Sequence, residues 1–298
     1  GTKILLNTMK TYIASKQFTK PSPIQSFCWP ALFQHKDLVG IAQTGSGKTL
    51  AFLFPALYRL ELMRQKGQHK TTAKPHPKIL VVAPTRELAM QSYQVCVDIG
   101  LTGSICLYGG VSKHQQVREM SNIHRKERSG LDIVIATPGR LLDIIQDENI
   151  SLESVFYLVL DEADRMLDEG FEPAIRQIIS RCPTYEHRQT VMLSATWPEE
   201  IRTLANNYLN TNPGELIRIV VGSEDLSANH RVTQIVEVVE NNSRVKDQKL
   251  IKLLGESYQY QILTLYVYIS LFIGFLFLYC IRQKHQNCNK HLNIRVLM

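Results

Sequence analysis

The residues Ala42-Gln43-Thr44-Gly45-Ser46-Gly47-Lys48-Thr49 follow the apolar run Asp37 to Ala42 and precede an amphipathic stretch. Glycines tolerate backbone angles closed to other residues, so in a loop between strand and helix successive N–H groups can turn inward. At the positive end of the helix they wrap an anion. In that setting Lys48 reaches the outer oxygens of a polyphosphate, Thr49 brings a hydroxyl to magnesium, and Thr44, Gly45, Ser46 and Gly47 line the cradle. The rival reading is a glycine turn with a chance lysine. The flanking strand and helix count against it, and Ala42, standing where the general pattern has glycine, narrows the type of loop.

Working outward, short β-branched runs alternate with amphipathic stretches from about residue 37 to 222: Asp37 to Ala42, Ile79 to Pro84, Ile105 to Tyr108, Ile133 to Thr137, Tyr157 to Asp161, Thr190 to Ser194 and Ile217 to Val221. Continuous apolar runs separated by helical patterns predict an α/β domain whose parallel sheet is covered on both faces. Such sheets bind ligands in the loops beyond the carboxyl ends of their strands. The chemically loaded residues fall there: Gly45 to Thr49, Thr85 to Glu87 and Asp161 to Asp164. Asp161-Glu162-Ala163-Asp164 ends an apolar run, which delivers its carboxylates to the sheet edge beside the glycine loop. Asp161 is suited to hold magnesium and Glu162 to orient or deprotonate an attacking water. An acidic tetrapeptide alone is more often just a helix start.

The chain of 298 residues, 44% hydrophobic and 20% charged, has room for one large or two medium globular domains. A formal net charge of +7 favours a polyanionic partner without separating RNA from DNA or membrane. Cys28, Cys96, Cys106, Cys182, Cys280 and Cys288 contain no C-x-x-C pair, so no disulfide is assigned and a reduced intracellular compartment is expected. No charged-then-apolar leader opens the chain, and Gly1 at its start reads as a fragment boundary. Arg64 to Lys78, basic and carrying Pro75 and Pro77, reads as a surface loop, a solvated insertion more than a dedicated RNA contact.

The order of these motifs resembles the DEAD-box family of ATP-dependent RNA helicases, over about residues 1 to 258. The resemblance implies a RecA-like phosphate-loop NTPase domain with ATP and magnesium as ligands and RNA as partner. Phe18, followed by Lys20-Pro21-Ser22-Pro23-Ile24-Gln25, resembles the family's adenine-reading motif, in which Phe18 stacks on the base and Gln25 bonds its edge. Independently of the family, Gln25 is one of the few side chains able to donate and accept together. Pro84-Thr85-Arg86, Gly109-Gly110 and Thr137-Pro138-Gly139-Arg140 resemble the family's RNA-contacting motifs, offering hydroxyls, guanidiniums and helix-start N–H groups. Ser194-Ala195-Thr196 resembles the motif that couples hydrolysis to strand separation, through hydroxyl contacts to the carboxylates of Asp161 to Asp164. Trp197-Pro198 is a form associated with a subgroup that includes ribosome-assembly helicases, for which nucleus, nucleolus or cytoplasm is the expected location.

The resemblance stops near Tyr258. Family members continue into a second RecA-like domain with an arginine-rich motif whose guanidiniums reach the γ-phosphate. No His-Arg-x-Gly-Arg-x-Gly-Arg stretch follows here, so feeble hydrolysis and no unwinding are expected without that domain. The expected organisation is a RecA-like domain over 1–225, a linker and the opening of a second domain over 226–258, and an atypical tail over 259–298. Val232 to Val239 reads as a strand and Val245 to Leu254 as a helix. Ile262 to Ile281, twenty residues without a formal charge followed by Arg282 and Lys284, qualifies by length and hydropathy as a transmembrane helix. A membrane anchor and a buried or disordered remnant rank below translated non-coding or frame-shifted sequence, because the composition changes abruptly there. Cys280, His285, Cys288 and His291 match no zinc spacing well, so no structural metal is expected. The expected partners are ATP and RNA, with no membrane, acting on a monomer. Two rivals remain: another phosphate-loop NTPase such as a DNA translocase, and a non-catalytic RNA-binding module.

Overall fold

A computed structural model of the chain describes residues 2–66, 74–127, 130–222, 232–237, 244, 248, 263–271, 274–282 and 292–297. The chain divides into two compact units, Gly1–Asp225 and Leu226–Met298.

Among the described residues the first unit holds seven strands: β1 (Asp37–Ala42), β2 (Ile79–Val82), β3 (Ser104–Leu107), β4 (Ile133–Ala136), β5 (Tyr157–Leu160), β6 (Gln189–Ser194) and β7 (Leu216–Val221). They form one sheet in the order β3-β4-β2-β5-β6-β1-β7, with every neighbouring pair parallel. Strands β1 to β6 are buried along their whole length, which is why they read as unbroken apolar runs and not as alternating ones.

Successive strand residues point to opposite faces, and two separate cores follow. Leu38, Ile79, Val81, Ile133, Val159 and Leu193 pack under α1 (Thr2–Ser15), α2 (Pro23–Phe33), α3 (Lys48–Gln65) and α4 (Arg86–Ile99). Val39, Ile41, Leu80, Val134, Leu158 and Met192 pack under α5 (Lys113–Lys126), α6 (Pro138–Gln146), α7 (Ala163–Asp168), α8 (Glu172–Ile179) and α9 (Glu199–Tyr208). Each such fully buried aliphatic side chain contributes about 1.5–3 kcal/mol over leaving it exposed.

The expectation of a surface loop over Arg64 to Lys78 is corrected at both described ends. Helix α3 runs on through Arg64, and Pro75 to Lys78 are buried. The cause is that these residues lead into β2, a central strand. Their carbonyls are taken up on the way, Pro75 by Ser151 N–H and Lys78 by Phe156 N–H, each at 2.9 Å.

The second unit contains β8 (Val232–Glu237), β9 (Leu263–Leu271), β10 (Gly274–Arg282) and β11 (Leu292–Leu297) in one sheet, ordered β8-β11-β10-β9. Strand β10 runs antiparallel to both β9 and β11, and β8 runs parallel to β11. The spanning helix that length and hydropathy allow over Ile262 to Ile281, which ranks below non-coding sequence, is not what the described residues form: 263–271 and 274–282 are paired strands, with Gly274 opposite Leu271. Length and hydropathy do not separate these outcomes, but composition does. Thr264, Tyr266, Val267, Tyr268, Ile269, Phe275, Phe277 and Tyr279 are β-branched or aromatic, and Gly274 punctuates the run. Among the described residues no helix is long and apolar enough to cross a membrane. The helix expected over Val245 to Leu254 lies, apart from Gln248, outside the described residues.

Candidate functional site

The sheet order sorts the carboxyl-end loops into two groups. Strands β5, β6 and β1 are neighbours and carry Asp161 to Asp164, Ser194 to Thr196 and Gln43 to Gly47. Strands β3, β4 and β2 are neighbours and carry Gly109-Gly110, Thr137 to Arg140 and Pro84 to Arg86.

In the first group Gly47 caps α3 in the left-handed region at φ 95°, and Lys48 opens the helix. A Cβ on Gly47 would stand 2.6 Å from Gln25 Nε2, so both the angle and the close approach demand glycine. Lys48 is buried, and its ammonium donates to the Ala42 carbonyl at 3.0 Å, which holds it across the mouth of the loop. Thr49 is half-buried, while Gln43, Thr44 and Gly45 are exposed. Gln25 is buried at the same loop. Its Oε1 accepts the Ser22 N–H at 2.9 Å and its Nε2 donates to the Gly47 carbonyl at 3.0 Å. An amide has two N–H bonds and two lone pairs, so it can clamp its own helix start to the loop and still face an adenine edge. Phe18 is about half exposed, with its ring edge-on to Tyr12 at 6.5 Å.

Asp161 and Glu162 are both buried. Glu162 has φ 55°, a left-handed angle that costs a non-glycine residue about 1–3 kcal/mol and turns the chain sharply from β5 into α7. Burial pushes the Asp161 carboxyl up to about 6; Lys48 opposes the shift and Glu162 adds to it. Its Oδ1 is buried with no hydrogen-bond partner, as is the Ser46 hydroxyl oxygen. An unpartnered carboxylate oxygen charge-coupled to a buried ammonium, with an unpartnered hydroxyl on the loop before that lysine, fits a magnesium-bound phosphate, for which Asp161 and Thr49 would be the protein ligands. Among the described residues no three His, Cys, Asp or Glu side chains converge. One carboxylate and one hydroxyl suit magnesium, which keeps phosphate and water oxygens in its shell.

The raised carboxyl makes a prediction. The folded state holds the Asp161 proton more tightly than the unfolded chain, whose value is the ordinary 3.8, so stability is gained as pH falls through about 6 towards that value. Above about 6 the buried charge costs the full difference. In chelated buffer Asp161→Asn should stabilise the fold by about 1 to 2 kcal/mol at pH 8 and by less at pH 5.5, read by urea unfolding. An equal gain at both values would contradict the buried-charge assignment.

Asp164 links two loops. Its Oδ2 accepts from Ala195 N–H at 3.1 Å, Thr196 N–H at 3.0 Å and the Thr196 hydroxyl at 2.9 Å. The hydroxyl contact expected of this motif is made by Thr196. Ser194 does not share it: that side chain is fully buried and its Oγ has no partner.

In the second group α4 and α6 begin at the strand ends with Thr85 and Thr137 as caps, and Pro138 follows Thr137. Their positive ends and the exposed Gly109, Gly110 and Gly139 lie on one edge, with open space where a side chain would stand on each glycine. Pro84 is buried and positions the turn, while Arg86 is exposed with its guanidinium over the Tyr108 ring at 4.6 Å. Arg140 differs from the expectation of a free RNA contact. Its Nη1 donates to Gln116 Oε1 at 2.6 Å, its Nη2 to the Val111 carbonyl at 2.8 Å, and its Nε lies 3.9 Å from Asp143.

A family model described as DEAD/DEAH box helicase matches residues 22–204. The chain belongs to the DEAD/DEAH box helicase family. It is similar to DEAD-box ATP-dependent RNA helicase 5 of Oryza sativa subsp. japonica, 48% identical over 249 residues, which are 83% of this chain and 45% of that protein. It is similar also to ATP-dependent RNA helicase DBP3 of Mycosarcoma maydis, 49% identical over 238 residues, 78% of this chain and 39% of that one. The yeast DEAD-box splicing factor Prp28 superposes with a TM-score of 0.62 at 30% identity, over 83% of this chain and 55% of that one. The parallel sheet is accordingly the RecA-like fold of DEAD-box proteins. The chain spans less than half the length of the two curated relatives.

Within this DEAD-box domain Gln116, Val111 and Tyr108 matter and were not picked out from sequence. Tyr108 stands directly before Gly109 and was open to notice, whereas nothing in the spacing of Gln116 announces its bond to Arg140. Because Arg140 ties α6 to the segment after Gly110, Arg140→Ala should cost about 1.5–3 kcal/mol of stability and weaken RNA binding indirectly. Hydrogen exchange should rise at residues 109–112. RNA affinity lost with no change in stability or exchange would return Arg140 to direct contact.

Proposed function

We propose that this chain is the ATP- and RNA-binding half of an ATP-dependent RNA helicase. The observation that carries this is the buried, charge-coupled pair Lys48 and Asp161, brought together on the β1, β6 and β5 edge, with one Asp161 oxygen left unpartnered. In this reading Phe18 and Gln25 hold adenine, and the Gly45 to Gly47 amides with Lys48 hold the phosphates. Asp161 and Thr49 are the magnesium ligands, and Glu162 orients the attacking water. Magnesium would supply the charge that neutralises the developing negative phosphoryl group. Asp164 links the β5 loop to Ala195-Thr196 on the β6 loop within this edge. Arg86, Thr85, Thr137 and the glycine N–H groups take the RNA backbone, with Arg140 positioning them. Turnover and unwinding are proposed to need a second RecA-like domain supplying arginines to the γ-phosphate. Trp197-Pro198 supports a ribosome-assembly role, with action in nucleus, nucleolus or cytoplasm.

The test is binding of Mg-ATP and of one sequence as RNA and as DNA, by calorimetry and anisotropy. The expected outcome is Mg-dependent ATP binding, preference for RNA, and a salt-sensitive RNA affinity. Equal affinity for both polymers would favour a DNA translocase, and RNA binding without nucleotide binding a non-catalytic module.

A further inference from the structure

Phe18 lies on the irregular link between α1 and α2, residues 16–22, where a ring that stacks on a base would wander unless something held it. The end of α1 does so. Gln17 takes the left-handed angle φ 56°, its N–H donates to the Ala14 carbonyl at 3.0 Å, and the Phe18 N–H donates to the Ile13 carbonyl at 3.1 Å. These paired bonds are those of a helix closed by a left-handed residue, and they bring the following side chain back against the last turn. Here the following side chain is Phe18 and the one it meets is Tyr12. Their rings lie at 64° with centroids 6.5 Å apart, within the edge-to-face range of about 4.5–7 Å.

Tyr12 is itself fixed. It is buried with Met9 in the core under α1, and the Lys16 ammonium lies 5.5 Å from its ring centroid while pairing with Asp98 of α4 at 2.9 Å. Phe18, by contrast, stays 48% exposed. Filling the core under α1 needs only an apolar side chain, which leucine would supply, whereas meeting Phe18 edge-on needs a ring. A stacking ring already held in place loses little freedom when the base arrives, so the nucleotide binds more tightly. We propose that Tyr12 is a positioning residue for the nucleotide: it acts through Phe18, holding that ring in the orientation that stacks on adenine, and touches no part of the ligand itself. This rests on the adenine-stacking reading of Phe18 above.

The test is a double-mutant cycle on Mg-ATP binding to the full chain, by calorimetry, with urea unfolding of each variant to show that it folds. Phe18→Ala should weaken binding about tenfold, the loss of one base–aromatic stack. Tyr12→Leu, which keeps apolar bulk in the core, should weaken it about fivefold when Phe18 is present and less than about twofold when Phe18 is already alanine. Tyr12→Phe, which keeps the ring, should bind as the wild type does. Gln17→Gly, which relaxes the left-handed angle and keeps the cap, should do the same. The same loss from Tyr12→Leu in both backgrounds, no loss from it in either, or Tyr12→Phe as weak as Tyr12→Leu would each overturn the positioning role and leave Phe18 at the adenine. Unchanged affinity in Phe18→Ala would overturn the adenine reading on which the proposal rests.

Discussion

Replacing Lys48 by alanine should reduce Mg-ATP affinity about 100-fold or more and leave the fold in place. Lys48 is buried, bonded to the Ala42 carbonyl and charge-coupled to Asp161, so its ammonium is already desolvated and aimed. Removing one member of such a buried charge constellation costs about 2–5 kcal/mol of binding. A second consequence follows from the same coupling. Lys48 opposes the rise in the Asp161 carboxyl, so its loss moves that carboxyl further up and shifts any remaining magnesium-dependent binding to higher pH. Calorimetry with Mg-ATP at pH 6.5 and 8.5 measures both effects. Unchanged affinity in the variant would remove the phosphate assignment of the whole 43–49 loop.

Asp164→Ala should be the most destabilising single change at the site. One carboxylate oxygen, Oδ2, collects two backbone N–H groups and a hydroxyl from Ala195 and Thr196, and Oδ1 takes the Arg165 N–H at 3.0 Å. Truncation leaves two part-buried N–H groups at the end of β6 without an acceptor, at a cost of about 2–4 kcal/mol. Thr196→Ala removes only the hydroxyl donor and should cost about 1 kcal/mol. Asp164→Asn keeps an acceptor oxygen and should fall between them. Urea unfolding ranks the three. If Thr196→Ala equalled Asp164→Ala, the backbone bonds would carry none of the link.

The parts of this molecule legible in sequence are those where local chemistry and burial coincide. Strands such as Tyr157–Leu160 are covered on both faces and so appear as pure apolar runs, and the Gly45-Ser46-Gly47-Lys48-Thr49 loop has a backbone demand that few other residues meet. The sheet order was not legible. Nothing in the runs themselves says that β5 and β1 flank β6, and it is that order that separates the loops proposed for nucleotide from those proposed for RNA. The pairing of Arg140 with Gln116 was hidden for the same reason, being joined by topology, whereas the contact of Thr196 with Asp164 was expected only through the family resemblance. Residues 263–271 and 274–282 show the opposite failure: the abrupt change in composition was read as foreign sequence, although the same β-branched and aromatic side chains pair as β9 and β10.

The central claim, one carboxyl edge divided between nucleotide and RNA, is tested most directly by amide hydrogen exchange on the chain with Mg-ATP and, separately, with single-stranded RNA. Mg-ATP should protect residues 43–49 and 161–164, on the β1 and β5 loops. RNA should protect 85–87, 108–111 and 137–140, on the β2, β3 and β4 loops. Protection of one common set by both ligands, or RNA protection confined to the β1, β6 and β5 loops, would contradict the division.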